Sequence, residues 1–418
     1  MRARGPSTVR DLRRSNRSVL LTTLYFEGPL SRQELIQATG LSSASVSNVT
    51  NELIESGAVV EAGAVDSEGG RPRILLRVNP ARGFVVGVSI GSRRLVAGAF
   101  DLALRERSRV TVPLEAGSHD PDEVVGRVLG AVEKVLDSAG NGSAPVLGLG
   151  VGVSGVVEHG PETRVSDQTM GWTQVPLAHL LRAGTDLPLF IDNGAKNMGQ
   201  AEIWFGAGRG TRQSVIALVS SGVGAAIVTN GTIYQGASSS AGEWGHMTVE
   251  VGGRRCRCGA HGCLEAYVGA GAVIERYHQL AGLRQPPQLD EEAVLTRIVE
   301  AAETSEAARQ VLDETALYLG VGVANLVNLI NPERIVLGGW AGLLLGSATL
   351  TRIREVARQN ALQAPFARTS IELARLGADA AIVGAASLPV AEFLRGGGVW
   401  VPDQAAPRSI SRQVLVSD

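Results

Sequence analysis

All three cysteines of the 418-residue chain fall within eight positions, Cys256-Arg257-Cys258-Gly259-Ala260-His261-Gly262-Cys263. A histidine, His246, stands ten residues upstream of the first. An odd, clustered set does not make a disulfide framework, which needs pairs spread along a chain. Three thiolates on one short loop plus one imidazole make a closed tetrahedral Cys3His zinc site instead. Such a site keeps no position for water, so its role is structural rather than catalytic. By spacing, either His246 or His261 can supply the nitrogen. His246 is favoured, because His261 is held within the cysteine loop and reaches the metal poorly. Reduced, metal-bound cysteines point to a reducing compartment, the cytoplasm.

A chain this long exceeds one compact core and suggests two or three domains. High glycine and apolar content with modest charge fits α/β domains with buried parallel strands. No run of about 18 apolar residues occurs, which argues against a membrane span. The basic start lacks a following apolar stretch, which argues against a secretory leader. The net charge of -2 hides an asymmetry. Residues 1–82 carry eleven arginines against eight carboxylates, and residues 1–17 six against one. A basic end on an otherwise acidic chain suits nucleic-acid binding.

The first eighty residues sharpen that reading. Val19, Leu20, Leu24 and Tyr25 recur at helical spacing and predict a helix over 12–26, ended by Gly28-Pro29. Ser31 stands three residues before Glu34, a capping box opening a second helix over 32–39. Gly40 supplies a turn, and Ser42 or Ser43 caps a third helix running to about residue 56. There Val46, Val49 and Leu53 face inward, leaving Ser43, Ser45, Ser47, Asn48 and Asn51 outward. Two short helices around a glycine turn, the second presenting small polar residues, form a helix-turn-helix signature. Such side chains reach base edges or phosphates in the major groove. A strand near residue 59, a turn-rich stretch and a strand over 73–78 then predict a wing. Its tip, Gly69-Gly70-Arg71-Pro72-Arg73, suits a narrow minor groove. Arg32, Ser43, Ser45, Ser47, Asn48, Asn51, Arg71 and Arg73 are the candidate DNA contacts.

From residue 84 buried strands are predicted over 84–90 and 95–100, joined by a turn around Gly91, then a helix over 122–138 and a strand over 146–153. A second such beginning occurs over 214–219, Ser221-Gly222-Val223-Gly224 and 225–229. Two copies of strand, glycine-rich hairpin and strand indicate a duplicated α/β fold that holds ligand between its lobes.

The segments Glu243-Trp244-Gly245-His246, the cysteine loop and Gly262-Cys263-Leu264-Glu265 resemble the signature of the ROK family of repressors and sugar kinases. So do Gly150-Val151-Gly152-Val153-Ser154-Gly155, Asp192-Asn193, Asn331-Pro332-Glu333 and Ile335-Val336-Leu337-Gly338-Gly339. The resemblance implies a two-lobed, actin-like domain of the sugar kinase/ribonuclease H-like type, in which zinc orders a loop carrying sugar-binding groups. It assigns zinc to His246, Cys256, Cys258 and Cys263, and sugar hydroxyls to Asn193, Glu243, His246 and Glu265. The winged helix marks the repressor branch, similar to xylose, glucose and N-acetylglucosamine repressors. Kinases of the family use Glu-Asn-Asp-Ala-Asn with the aspartate as base; here Asp192-Asn193-Gly194-Ala195-Lys196 puts glycine there. Their phosphate loop, Asp-x-Gly-Gly-Thr-Lys, aligns with Ser89-Ile90-Gly91-Ser92-Arg93-Arg94. Both departures argue against catalysis.

The division expected is a winged helix-turn-helix over 1–80, one lobe over 81–195, a second over 196–398 whose last helix returns to the first, and a flexible tail over 399–418. The expected function is a sugar-responsive regulator, a repressor of carbohydrate genes released from operator DNA by a sugar or sugar phosphate. It would act as a homodimer or tetramer away from membranes. Loss of the aspartate with gain of Lys196 favours an anionic sugar. The alternatives are a DNA-binding protein that still phosphorylates sugar, and a sensor regulated by a protein partner.

Overall fold

The computed structural model describes residues 9–67, 70–114, 119–140, 144–160, 162–284 and 290–399. The chain opens with α1 (Val9–Glu27), β1 (Leu30–Ser31), α2 (Arg32–Thr39), α3 (Ser43–Glu55), β2 (Val59–Ser67) and β3 (Gly70–Val78). Local chemistry sets these bounds. The Ser31 hydroxyl accepts the Glu34 N–H while the Glu34 carboxylate accepts the Ser31 N–H at 2.7 Å, closing the capping box. Gly40, at φ 66°, ends α2 in the left-handed conformation, and Ser42 caps α3 through the Ser45 N–H. Val46, Val49 and Leu53 are buried, as their spacing requires. The hairpin is longer than the sequence suggested, because register shifts after Glu61 and Val65 absorb the turn-like residues without ending the pairing. Strand β1 pairs with β3, closing the hairpin onto the helices. Gly69 and the side chain of Arg71 lie outside the described residues, as does the tail beyond residue 399.

The body begins with β4 (Phe84–Ile90), β5 (Arg94–Asp101), β6 (Glu106–Pro113), α4 (Pro121–Ser138) and β7 (Val146–Val153). A small sheet of β8 (Val156–Glu158), β9 (Arg164–Asp167) and β10 (Trp172–Val175) follows, then α5 (Leu177–Arg182), β11 (Leu189–Asn193) and α6 (Gly194–Phe205). The main sheet runs β11-β7-β4-β5-β6, parallel across β11, β7 and β4 and antiparallel beyond.

The second half repeats the plan with β12 (Ser214–Val219), β13 (Val223–Thr229) and β14 (Thr232–Ile233). Four helices intervene, α7 (Glu265–Val268), α8 (Ala270–Ala281), α9 (Glu291–Glu300) and α10 (Glu306–Ile330). Then come β15 (Arg334–Gly338), α11 (Trp340–Asn360), α12 (Gln363–Phe366), β16 (Ser370–Leu373) and α13 (Ala380–Arg395). Its sheet, β14-β13-β12-β15-β16, matches the first strand for strand, third-second-first-fourth-fifth.

Helix α13 crosses back over β4 and β7 of the first sheet and packs along α6. That approach explains the glycines of β7. A Cβ on Gly150 would stand 1.8 Å from the Ala385 carbonyl oxygen. At Gly384 it would meet the Asn197 carbonyl oxygen at the same distance, so the two helices touch backbone to backbone. The segment Gly377–Arg395 is long and apolar enough to cross a membrane, but two-thirds of it is buried here as a core helix.

The first eighty residues do not hang from a linker. Leu20, Leu21, Leu24 and Leu53 share one apolar cluster with Phe100, Leu102, Trp204, Phe393 and Leu394 of the body. The Trp204 ring lies 5.0 Å from Phe26 and 5.7 Å from Tyr25, edge to face. Arg17 Nε donates to the Gly397 carbonyl at 2.9 Å, and Arg209 to the Phe26 carbonyl at 3.2 Å.

Candidate functional site

The cysteine loop is a tight turn. Cys256 N–H donates to the Ala260 carbonyl at 2.8 Å and Gly259 N–H to the Cys256 carbonyl at 3.0 Å. Bridges between Thr248 and Cys263 and between Arg255 and His261 hold its base. The turn folds all three thiols toward His246, which ends a short 3-10 turn over Trp244–His246. The ligand atoms of His246, Cys256, Cys258 and Cys263 lie within 4.8 Å of one another. Cys258 Sγ and Cys263 Sγ are 3.7 Å apart, and Cys256 Sγ is 3.8 Å from His246 Nδ1. Two sulfurs on a tetrahedral ion at about 2.3 Å would be about 3.8 Å apart, so the four residues fit one metal ion. His261 is exposed and stands outside the cluster. Burial and the adjacent sulfurs push the Cys263 thiol up to about 12. A metal ion bound there would hold all three as thiolates.

A cleft of about 730 Å³ separates the two sheets. On the first sheet Ile90, Val153 and Asn193 stand side by side in register, so the residues that follow each strand face the cleft together. Asn193 caps α6: its Oδ1 accepts the Ala195 N–H at 2.8 Å, and its Nδ2 donates to the Gly155 carbonyl at 2.6 Å. Glu243, His246 and Glu265 line the opposite wall, so the structure brings the four predicted sugar contacts onto one cavity. Burial raises the Glu243 carboxyl above its ordinary value. Glu265 is already engaged, accepting the Val223 N–H at 2.9 Å through Oε2 and Arg257 Nε at 2.8 Å through Oε1.

Gly194 also lines the cleft, and a Cβ there would meet only the Val153 carbonyl oxygen at 3.7 Å. Asp192 does not line the cleft. Its carboxylate turns into a separate small pocket, near His159 at 3.7 Å and Gln235 at 3.4 Å. Lys196 corrects an expectation. Its ammonium does not face the cleft: it is 3% exposed, donates to Gln235 Oε1 at 2.6 Å and to the Ser239 carbonyl, and lies 4.0 Å from Asp192. The attraction it was expected to offer an anionic sugar is therefore spent on the far side of α6. The phosphate-loop segment does reach the cleft, but Arg94 pairs there with Glu292 at 3.1 Å. Nearby, Arg109 of β6 pairs with Asp379 at 2.6 Å. Both pairs join the two halves. Arg257 of the cysteine loop lines the cavity as well; its place in the motif hinted at proximity, but not at the direction of its side chain.

On the first unit, Ser43, Asn48 and Asn51 are exposed on α3 and Ser45 and Ser47 half-exposed. Arg32 is tied to that helix, donating to Thr50 Oγ1 at 3.0 Å and Asn51 Oδ1 at 2.9 Å. Arg73 is exposed on β3. Glu52, on α3, is gripped by Arg13 and by Arg17 at 3.1 Å.

Comparison with known proteins adds three findings. A family model described as the ROK family matches residues 85–392. A xylose repressor of Caldicellulosiruptor bescii is 30% identical over 393 residues, covering 92% of this chain and 97% of that protein. A glucokinase of Halalkalibacterium halodurans is 34% identical over 262 residues, covering 61% of this chain and 79% of that one. Among solved structures, a ROK family transcriptional regulator described as a homolog of the Escherichia coli MLC protein superposes with a TM-score of 0.77. It is 23% identical and covers 93% of this chain and 98% of its own. A ROK family glucokinase from Streptomyces griseus, 26% identical, superposes with a TM-score of 0.63 over 73% of this chain, and together the two establish the actin-like fold of sugar kinases.

Proposed function

The chain belongs to the ROK family, and from that premise we propose that it is a sugar-responsive transcriptional repressor of carbohydrate uptake or catabolism genes. One observation carries the reading: a three-helix unit with a β-hairpin shares a continuous apolar core with a cleft whose catalytic-base position is a glycine. Similarity to the xylose repressor covers 92% of this chain, more than residues 81–418 alone could supply, whereas similarity to the glucokinase covers 61%.

In this reading residues 1–80 are a winged helix-turn-helix. Helix α3 enters the major groove, Ser43, Ser45, Ser47, Asn48 and Asn51 meet bases or phosphates, and Arg32 positions the Asn51 amide. Arg71 and Arg73 on the hairpin reach the minor groove. Residues 81–195 and 196–398 are the two lobes, with α13 returned to the first. A cytoplasmic homodimer or tetramer presents two such units to the half-sites of a pseudo-palindromic operator.

At the other end, His246, Cys256, Cys258 and Cys263 hold a structural zinc ion that orders the loop between the Trp244–His246 turn and α7. His246 turns Nδ1 toward the cysteines, which leaves Nε2 for a sugar hydroxyl. Glu243 and Glu265 complete that polar wall and Asn193 faces them across the cleft; carboxylates and amides each pair adjacent hydroxyls and reject a ligand lacking one. Sugar closes the cleft and releases the operator, through its differential affinity for the open and closed shapes. The protein performs no phosphoryl transfer, because Gly194 offers no proton acceptor.

The test is binding of the purified protein to DNA upstream of its own gene, titrated with D-xylose, D-glucose, N-acetylglucosamine and their phosphates. A specific complex dissociated by one of them is the expected result. ATP turnover on the same sugars above background would return the protein to the kinases.

A further inference from the structure

Arg257 stands between two of the clustered cysteines, yet its side chain leaves that loop for the cleft. Its guanidinium touches three elements. Nε donates to Glu265 Oε1 at 2.8 Å, Nη2 to the Ser221 carbonyl, and Nη1 to Thr169 Oγ1 at 2.8 Å. Glu265 and Ser221 belong to the second half of the chain, and Thr169 follows β9 in the first. One side chain therefore bridges the lobes at the end of the cleft where the sugar is placed.

Each partner is itself fixed. Glu265 is buried, and its other oxygen accepts the Val223 N–H at 2.9 Å. Asp167 anchors the Thr169 turn, its Oδ1 accepting the Thr169 N–H at 2.7 Å. A guanidinium offers donors from three separate nitrogens held in a fixed fork, one to each partner; an ammonium is a single point of charge on a flexible stem.

Resting on the reading of the cleft as a sugar site, we propose that Arg257 is a positioning residue, a clasp that links occupancy of Glu265 to the opposite lobe. It holds the Glu265 carboxylate in one orientation. Glu265 Oε1 also faces the Cys256 sulfur at 3.9 Å, which as a metal-bound thiolate would donate no hydrogen bond, so a lone pair remains for a sugar hydroxyl and the sugar and Arg257 share that atom. The Arg257–Thr169 bond then carries the state of the sugar end to the first lobe.

Thr169→Val removes only the far acceptor and leaves Glu265, Ser221 and the cysteine loop in place. The probes are D-xylose, D-glucose and N-acetylglucosamine, followed by calorimetry and by anisotropy of labelled upstream DNA. Thr169→Val is expected to bind the same sugar as the wild type within a small factor. Its sugar-induced change in operator affinity should fall by about tenfold or vanish, the usual weight of one hydrogen bond to a charged group. Arg257→Lys is expected to lose about tenfold in sugar affinity while keeping one zinc ion per chain, since it keeps the charge but not the fork. A wild-type operator response in Thr169→Val overturns the clasp, and so does wild-type sugar affinity in Arg257→Lys. A wild-type protein that binds none of the three sugars overturns the sugar reading beneath it, which keeps the two failures apart.

Discussion

Replacing Trp204 by alanine tests whether the first eighty residues and the body are one mechanical unit. Trp204 is 3% exposed at the last turn of α6, in the cluster that holds Leu20, Leu21 and Leu24 of α1. Truncating a buried tryptophan to alanine costs about 3–5 kcal/mol, which includes its edge-to-face pairs with Tyr25 and Phe26. Unfolding entropy near 2.1 cal/mol/K per residue comes to about 0.9 kcal/mol/K for 418 residues. If everything melts together, a loss of about 4 kcal/mol lowers the midpoint by only about 4–5 °C. The sharper signal is spatial. The lost contacts join α1 to α6, so α1, α2 and α3 should open by themselves at lower free energy than β4 and β7. Native-state hydrogen exchange is expected to show amides of α1 and α3 exchanging about 10²- to 10³-fold faster, with the central strands unchanged. Calorimetry should show a separate low-temperature transition. Equal acceleration everywhere, or none in α1 and α3, would refute the shared-core argument.

Four further outcomes follow from the same geometry. Cys258→Ser should lower zinc content, read by a chromogenic chelator, from one ion per chain to a weakly held fraction, and increase proteolysis between residues 246 and 264. Gly194→Asp fits without backbone movement, since a Cβ there meets only the Val153 carbonyl at 3.7 Å. Its ATP turnover should stay at background because the Ser89–Arg94 turn still lacks the family's phosphate loop; clear turnover would place the loss on Gly194 alone. Asn48→Ala should cost about 1–3 kcal/mol of operator discrimination in competition binding, whereas Arg73→Ala should weaken all sequences alike and flatten the salt dependence. Hydrogen bonds from the Ser31 backbone and hydroxyl depress the Glu34 carboxyl, and Arg13 depresses that of Glu52. A folded value below the ordinary 4.5 stabilises above that pH and is lost as pH falls through the folded value. The urea midpoint should therefore drop below about pH 4.5, less steeply in Glu34→Gln.

What the sequence revealed was short-range. The Ser31–Glu34 box and Gly40 act within four residues, and the helix they bound runs over Arg32–Thr39, the predicted span. The cysteine cluster is equally local: a turn of eight residues has few ways to arrange three thiols, and His246 ends the 3-10 turn just upstream of it. The strands Phe84–Ile90, Val146–Val153 and Ser214–Val219 were legible because parallel strands buried on both faces read as unbroken apolar runs.

Lys196 shows what a motif read as a flat string conceals. Asn193 is the N-cap of α6, so the motif straddles the end of a strand and the start of a helix. Along a helix each residue turns about 100°, so Lys196 lies about 200° around from Gly194. With Gly194 on the cleft, Lys196 must face away, toward Gln235 and Ser239. Asp192, the residue before Asn193 on β11, likewise points to the opposite face of its strand. The docking of Tyr25 and Phe26 on Trp204 had no local signal, because its partners are nearly 180 residues apart. Yet that contact places the last turn of α6 in the N-terminal core, while its first turn lines the cleft. Helix α13 makes the same crossing, from Ala380 at the cleft to Phe393 and Leu394 in that core. The two meet backbone to backbone at Gly384, where no flexible side chain can yield, so a tilt of one at the cleft would press directly on the other.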